Sequence, residues 1–343
     1  MNETSEKSKK SEKSVAIVGA TGAVGLEFIN VLEKLEFPVK DLKLLASKRS
    51  AGKVLKFRGV EIPVEETTRE SFKNVDIALF SAGSSISRLY AEDVKNSGCV
   101  MIDNSSAFRM VDDVPLVVPE INPHDALKHN GIIANPNCST IIMLMAVYPL
   151  YRKYPVKRIV LSTYQAASGA GWEAMEELRK ASQAYLDERP FEQTIMPHPY
   201  AFNLFSHNSK MLENGYNEEE MKTFKESRKI LHDDKIAITA TCVRVPIFRA
   251  HSEAINLEFY DQAPTVEECR RLLGDFPGVK VIDDRKNNYF PMPNEASGMY
   301  DCLVGRVRED ESMPGKAINL FVCGDQLLKG AALNAVQIAR LLV

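Results

Sequence analysis

The run Gly19, Ala20, Thr21, Gly22, Ala23, Val24, Gly25 constrains this chain more than any other segment, because of what flanks it. A short apolar run, Ser14 to Gly19, leads into it. An amphipathic stretch from Val24 to Leu35, with Leu26, Ile29, Leu32 and Leu35 three apart, leads out. Strand, glycine turn and helix in that order open a βαβ unit. Gly19, Gly22 and Gly25 there permit a tight turn and let a pyrophosphate approach free N–H groups at the positive end of the helix dipole. The spacing is GxxGxxG, a variant of the usual fingerprint, and its place in the unit predicts a bound dinucleotide.

Further apolar runs at Leu42 to Ala46, Val75 to Ala82, Val100 to Asn104 and Val114 to Val118 read as strands buried on both faces, with a second helix over Ser87 to Asn96. This alternation predicts a parallel, doubly wound sheet of the Rossmann type. After the second strand come Ser47, Lys48, Arg49 and Ser50, where NAD enzymes carry an acid for the ribose 2′-hydroxyl. Two cations and two hydroxyls suit a 2′-phosphate, so the expected cofactor is NADP(H).

Past residue 138 the pattern changes. Ile255, Leu257 and Phe259 alternate with Asn256 and Glu258, as in a sheet with one apolar face. Strands over Val156 to Ala167, Ile236 to Val245, Ala254 to Tyr260, Asp301 to Arg308 and Ala317 to Cys323, with helices at 139–153, 171–187 and 265–274, predict an α+β unit with a mixed sheet, suited to carry the substrate and a subunit interface. Leu327 to Val343 reads as a helix needing an apolar surface, and a return to the first unit supplies one. The resulting division is a mobile tail at 1–13, a dinucleotide-binding domain at 14–137 plus 325–343, and a catalytic and dimerisation domain at 138–324.

A length of 343 residues suits two domains, and 43 basic against 46 acidic residues leave no field that favours nucleic acid or a membrane surface. No apolar run is long enough to span a bilayer and the N-terminus lacks a secretion signal, so the cytoplasm is the expected location. Six cysteines lie far apart without metal-ligand spacing, and no metal is expected.

Of these cysteines only Cys138 has a distinctive setting. Asn135, Pro136, Asn137, Cys138, Ser139 and Thr140 leave a strand (Gly131 to Ala134) and enter a helix, so the thiol stands at a helix N-terminus, which favours thiolate. Among six histidines His251 is the best proton partner, because it lies in a turn between two strands where a side chain projects toward a cleft.

With these residues in view, the chain from Val15 to Val343 resembles the aspartate-semialdehyde dehydrogenases. The resemblance rests on GATGAVG, SKRSAG, DNSSAFRM, NPNCST, QAASGAG, KESRKI, RVPIFRAHSE and GDQLLKGAALNA, in that order. It implies Cys138 as the nucleophile, His251 as the acid/base and Gln165 as a group that orients substrate. It further implies Arg109 and Lys229 as phosphate ligands, Arg244 as the partner of the substrate α-carboxylate, and Glu226 facing the α-amino group. Thr21 to Val24, Arg49, Ser50, Ser168, Gly169 and Gln326 match the family's NADP contacts. Lys48, Arg249 and the acidic stretch Glu213 to Glu220 are departures expected to lie outside the chemistry.

The reaction so implied starts with attack of a Cys138 thiolate on L-aspartyl 4-phosphate, with backbone N–H groups at the helix start steadying the oxyanion. Inorganic phosphate leaves, and NADPH reduces the thioester to L-aspartate 4-semialdehyde. That step feeds lysine and diaminopimelate, threonine, methionine and isoleucine biosynthesis, and the resemblance implies a homodimer or homotetramer. Two rivals are an N-acetyl-gamma-glutamyl-phosphate reductase, disfavoured by PNCS at the nucleophile, and a non-catalytic NADP-binding regulator, disfavoured by the presence of Cys138, Gln165, Arg244 and His251.

Overall fold

The computed structural model describes residues 11–343, so most of the tail expected at 1–13 lies outside the described residues, and Lys13 already belongs to a strand. The chain runs through β1 (Lys13–Val18), α1 (Ala23–Lys34), β2 (Val39–Ala46), β3 (Val54–Phe57), β4 (Val60–Glu66), β5 (Ile77–Phe80), α2 (Ser84–Asn96), β6 (Val100–Asp103) and β7 (Ile132–Ala134). These strands form one sheet in the order β3-β4-β2-β1-β5-β6-β7. β1 lies between β2 and β5, and where strand order reverses like this a doubly wound sheet leaves a crevice at its carboxyl edge.

Two expectations for this sheet need correction. It is parallel except for β3, which pairs antiparallel with β4 through a hairpin at Arg58 and Gly59. Both turn residues have positive φ, 50° and 78°, the geometry that matches strand twist but that Arg rarely adopts. Arg58 is held there by its Nη2, which donates to the Phe37 carbonyl at 2.6 Å, and by its backbone N–H on Glu33. The run Val114 to Val118 is not a strand. It makes a single bridge, Leu116 to Ala134, because Pro115 accepts from the Ala134 N–H but has no N–H to extend the ladder.

The chain continues through α3 (Cys138–Tyr151), β8 (Val156–Gln165), α4 (Trp172–Leu186), β9 (Phe205–Ser206), α5 (Glu218–Leu231), β10 (Ala237–Arg244), β11 (His251–Phe259), α6 (Val266–Gly274), β12 (Val279–Val281), α7 (Pro293–Ala296), β13 (Cys302–Glu309) and β14 (Ala317–Gly324). The second sheet is mixed, in the order β12-β13-β14-β11-β8-β10-β9, with β10 parallel to β8, β12 parallel to β13 and the remaining pairs antiparallel. α3 is buried from Ser139 to Val147 and apolar on every side, as a central helix must be. Its side chains join Val18 and Phe80 of the first sheet to Leu257 and Leu320 of the second in one core.

The single helix expected over Leu327 to Val343 is interrupted. Leu328–Ala332 form a π-helical turn before α8 (Leu333–Arg340), a local widening that often marks a functional site. Leu333, Val336 and Ile338 then pack beside Phe28 and Leu32 of α1.

Candidate active site

The ends of β8, β10 and β14 and the start of β11 meet at one edge of the second sheet, so register alone gathers polar side chains there. Arg244 pairs with Gln165, and His251 pairs with Gly324. The start of α3 points Cys138 into the same place, and the π-helical turn closes it. A Cβ on Gly330 would stand 2.8 Å from that of Cys138, and one on Gly169 would stand 3.0 Å from both Arg244 and His251. The pocket there, of about 320 Å³, is lined by Cys138, His251, Gln165, Arg244, Arg109 and Glu219, among others.

Cys138 is partly exposed in an otherwise buried stretch. Its helix is capped by Asn137, whose Oδ1 accepts from the N–H groups of Ser139 at 3.0 Å and Thr140 at 3.2 Å, while the Asn137 N–H is taken by Glu226 at 2.6 Å. Those three backbone donors are therefore occupied, which leaves the N–H of Cys138 itself as the donor at the helix start for an oxyanion. The expected low thiol pKa is corrected. Burial pushes the Cys138 thiol up to about 12, and the Glu219 carboxylate adds to it, against the pull of Arg109 and Arg244.

His251 is fully buried. Its Nδ1 accepts from the Ala166 N–H at 3.0 Å, so the ring hydrogen belongs on Nε2. Nε2 has no partner and is free to donate into the pocket. Burial, helped by the Arg244 guanidinium, pulls the imidazolium pKa down to about 3, which keeps the ring neutral. His207, which the sequence did not single out, also lines the pocket, and burial with Arg244 pulls it down to about 4.

The largest correction concerns α5. Glu226 and Lys229, expected at the substrate, do not line this pocket. Glu226 is buried behind it, bonded to Arg109 Nη1 at 3.1 Å and to the Asn137 N–H. Lys229 is further off, its Nζ donating to the carbonyls of Arg109, Val111 and Val114 at 2.7–2.9 Å. Together they hold the Arg109 loop. The acidic stretch expected to lie outside the chemistry contributes instead, since Glu219 and Lys222, two helical turns earlier on the same face, line the pocket. Glu219 accepts from Asn137 Nδ2 at 2.8 Å, Gln165 Nε2 at 3.2 Å and Lys222 Nζ at 2.9 Å. Burial opposes its charge, yet Lys222 and these donors hold its carboxyl well below the usual range. An N-cap signal, Asn217 with Glu220 three residues on, was present to place the helix.

Arg109 spends Nε on the Asn135 carbonyl and Nη2 on that of Asn104, so its fork is rigid. Arg244 Nη1 bonds the Ala166 carbonyl at 3.3 Å. The pocket thus offers three cations and the Glu219 anion, plus a thiol and an imidazole N–H.

Next to it lie two connected clefts of about 690 and 470 Å³ along the carboxyl edge of the first sheet. Thr21, Gly22, Arg49 and Ser50 line both; Ala23, Val24, Ser168 and Gly169 line the larger, and Gly19, Ser47 and Lys48 the smaller. α1 begins at Ala23 behind Gly22, with no side-chain cap and no acid in its first turn, a start that fits a pyrophosphate. Gly25 does not reach the clefts. A Cβ there would stand 2.2 Å from the Gly19 carbonyl, so it is required for the turn itself. Gln326 faces the substrate pocket, where it donates to Ser168 Oγ and accepts from the Ala250 N–H at 2.9 Å.

Comparison with known proteins agrees with this arrangement. Residues 14–129 match the family described as semialdehyde dehydrogenase, NAD binding domain, and residues 147–329 the one described as semialdehyde dehydrogenase, dimerisation domain. An aspartate-semialdehyde dehydrogenase of Synechocystis sp. is 56% identical, covering 92% of this chain and 93% of its own length. That of Aquifex aeolicus is 52% identical, covering 92% and 94%. Aspartate semialdehyde dehydrogenase II from Vibrio cholerae, solved with ASA, superposes with a TM-score of 0.93 at 42% identity, over 97% of this chain and 98% of that one. The Candida albicans enzyme, solved with NADP, gives 0.75 at 25% identity over 97% and 98%.

Proposed function

The chain belongs to the aspartate-semialdehyde dehydrogenase family, and on that premise we propose that its pocket interconverts L-aspartyl 4-phosphate and L-aspartate 4-semialdehyde through a thioester on Cys138. The observation that carries this reading is the meeting, in one pocket, of the Cys138 thiol with the unpartnered Nε2 of a neutral His251.

The free substrate carries an ammonium, a carboxylate and a phosphate, and the pocket carries their complements. Glu219 suits the ammonium and Arg244 the α-carboxylate, while Arg109 and Lys222 suit the phosphate. An N-acetylated substrate has no ammonium for Glu219, which disfavours the acetylglutamyl reading. Cys138 Sγ attacks the acyl carbon, a C–S bond forms and the C–O bond to phosphate breaks. The thiol proton leaves on the phosphate, which needs no side-chain base. Bound NADPH supplies the hydride that reduces the thioester. His251 Nε2–H donates to the oxygen that gains charge in both steps, and Gln165 fixes Glu219. Expulsion of Cys138 as thiolate releases the aldehyde, and solvent returns the proton.

The cofactor clefts support NADP(H), with Arg49, Ser47 and Ser50 toward the 2′-phosphate. Residues 14–137 with 325–343 would form the dinucleotide unit and 138–324 the catalytic unit, which the packing of α8 beside α1 supports. Exposed Trp172, Tyr185, Leu186, Phe202 and Leu204 support a homo-oligomer formed through the second unit. No helix among the described residues is long and apolar enough to cross a membrane, and we place the enzyme in the cytoplasm.

The test is NADPH formation from aspartate semialdehyde, NADP and phosphate, with Cys138→Ala and omission of phosphate as controls. Turnover that requires phosphate and disappears in Cys138→Ala supports the thioester route. Binding of NADP without turnover in the wild type would favour a regulator instead.

A further inference from the structure

The turn that carries His251 is tied to the helix that opens the cofactor cleft, and the tie runs through one side chain. Arg249 donates from Nε to Asp325 at 2.6 Å, and its Nη1 stands 2.7 Å from Glu27 of α1. Asp325 is fully buried and begins the segment that returns to the first sheet, where it also accepts from the N–H groups of Leu327 at 2.9 Å and Gly298 at 2.6 Å. Exposed ion pairs contribute little because water competes for them. This one is different: the Asp325 and Glu27 side chains are 0% and 15% exposed, and one guanidinium serves both carboxylates.

The backbone between Arg249 and His251 shows that the tie bears on the site. Ala250 has φ 71°, a conformation that a residue with a Cβ keeps only where its surroundings impose it. What imposes it is visible on both sides. The Arg249 carbonyl accepts from Ser297 at 3.2 Å, and the Ala250 N–H donates to Gln326, whose amide reaches Ser168 at the cofactor cleft. The next residue is His251, pinned by the Ala166 N–H.

We propose that Arg249 is a positioning residue that holds α1 and the Ala250–His251 turn in one arrangement, so that a dinucleotide seated at the start of α1 fixes His251 against the substrate pocket. This rests on the reading of α1 as the cofactor helix and of His251 as a reacting group.

The experiment is amide hydrogen exchange with and without NADP on wild type, Arg249→Gln and Glu27→Gln, beside steady-state kinetics. In the wild type NADP should slow exchange both at the start of α1 and at Ala250 and His251. In each variant the protection at α1 should persist while that of the turn is lost. The kcat should fall between about tenfold and about a hundredfold, the range for a misplaced group, with KM for aspartate semialdehyde changed less than about threefold. Glu27→Gln lies on a helix face and carries the test should Arg249→Gln fail to fold. Three results overturn the proposal: a turn that NADP does not protect in the wild type, protection that survives in both variants, or uncoupling that leaves kcat unchanged. Exchange is read without turnover, so a wild type that binds NADP and catalyses nothing overturns the reaction reading and leaves the coupling separately measured.

Discussion

At the scale of the residue, Cys138 stands between opposed influences, and their balance sets how the protein handles reagents. A helix start and two arginines favour thiolate, whereas burial and Glu219 favour thiol, and the latter prevail. Iodoacetamide should therefore alkylate the apoenzyme at Cys138 at a rate that climbs about tenfold per pH unit from pH 7 to 9 without a plateau, since only the thiolate reacts. A plateau near neutrality would show that the helix start wins. The two Glu-x-x-Lys pairs of α5 give a second prediction. Glu219 and Glu226 lie seven residues apart on one helix face, so sequence spacing alone does not say which reaches the pocket. Glu219→Gln should raise KM for aspartate semialdehyde about tenfold to a hundredfold, the loss of a charge-assisted bond. Lys229→Met should leave that KM nearly unchanged and raise KM for phosphate, because it loosens the Arg109 loop. Steady-state kinetics with each substrate varied would sink the assignment if the two effects were exchanged.

At the scale of the element, what was legible followed from periodicity and turn chemistry, and what was missed followed from contacts made at a distance. Buried strands β1, β5 and β6 announce themselves as apolar runs, and NPNCST places Cys138 at a helix start because the strand before it and the apolar helix after it are both local signals. The β3–β4 hairpin was missed because its turn uses Arg58 at positive φ, held by Phe37 and Glu33, which only the fold brings near. α5 had a capping signal, but its acidic first turn resembled a solvated surface, and its role appears only when β8 and α3 are beside it. The π-helical turn had no signal at all, since Leu327 to Val343 keeps helical spacing throughout. Its consequence is specific. Gly330 approaches the Cys138 Cβ so closely that Gly330→Ala must displace the start of α3 or the turn. That substitution should lower kcat by about tenfold or more while leaving NADP affinity, measured by NADPH fluorescence, nearly intact. Unchanged kcat would mean that the turn yields without moving the thiol.

At the scale of the molecule, two sheets share one core through α3, and the chemistry occupies an edge where that core turns polar. One row deeper sits Glu253, on the β11 face that also carries His251 and is covered by α3. It is paired with Thr163 on one side and Val322 on the other, fully buried, with neither carboxyl oxygen hydrogen-bonded. A carboxylate in that setting is too costly to keep charged, and burial raises the Glu253 pKa well above its ordinary value. The acid then binds its proton more tightly folded than unfolded. Its neutral form costs nothing below the unfolded pKa of about 4.3, and stability is lost as pH climbs from there toward the folded value. Glu253→Gln keeps the shape and removes the titration, so the variant should gain on the wild type by up to about 1.4 kcal/mol per pH unit. Urea unfolding of both proteins from pH 5 to pH 8 measures this directly. A gap that widens with pH places a proton on Glu253 in the native protein, and that proton in turn explains how a carboxyl can lie within electrostatic reach of Cys138 without adding a second full negative charge to a site that must form a thiolate. A gap that stays flat would mean that water reaches Glu253 and that the polar edge of the core extends one row further than the packing of α3 implies.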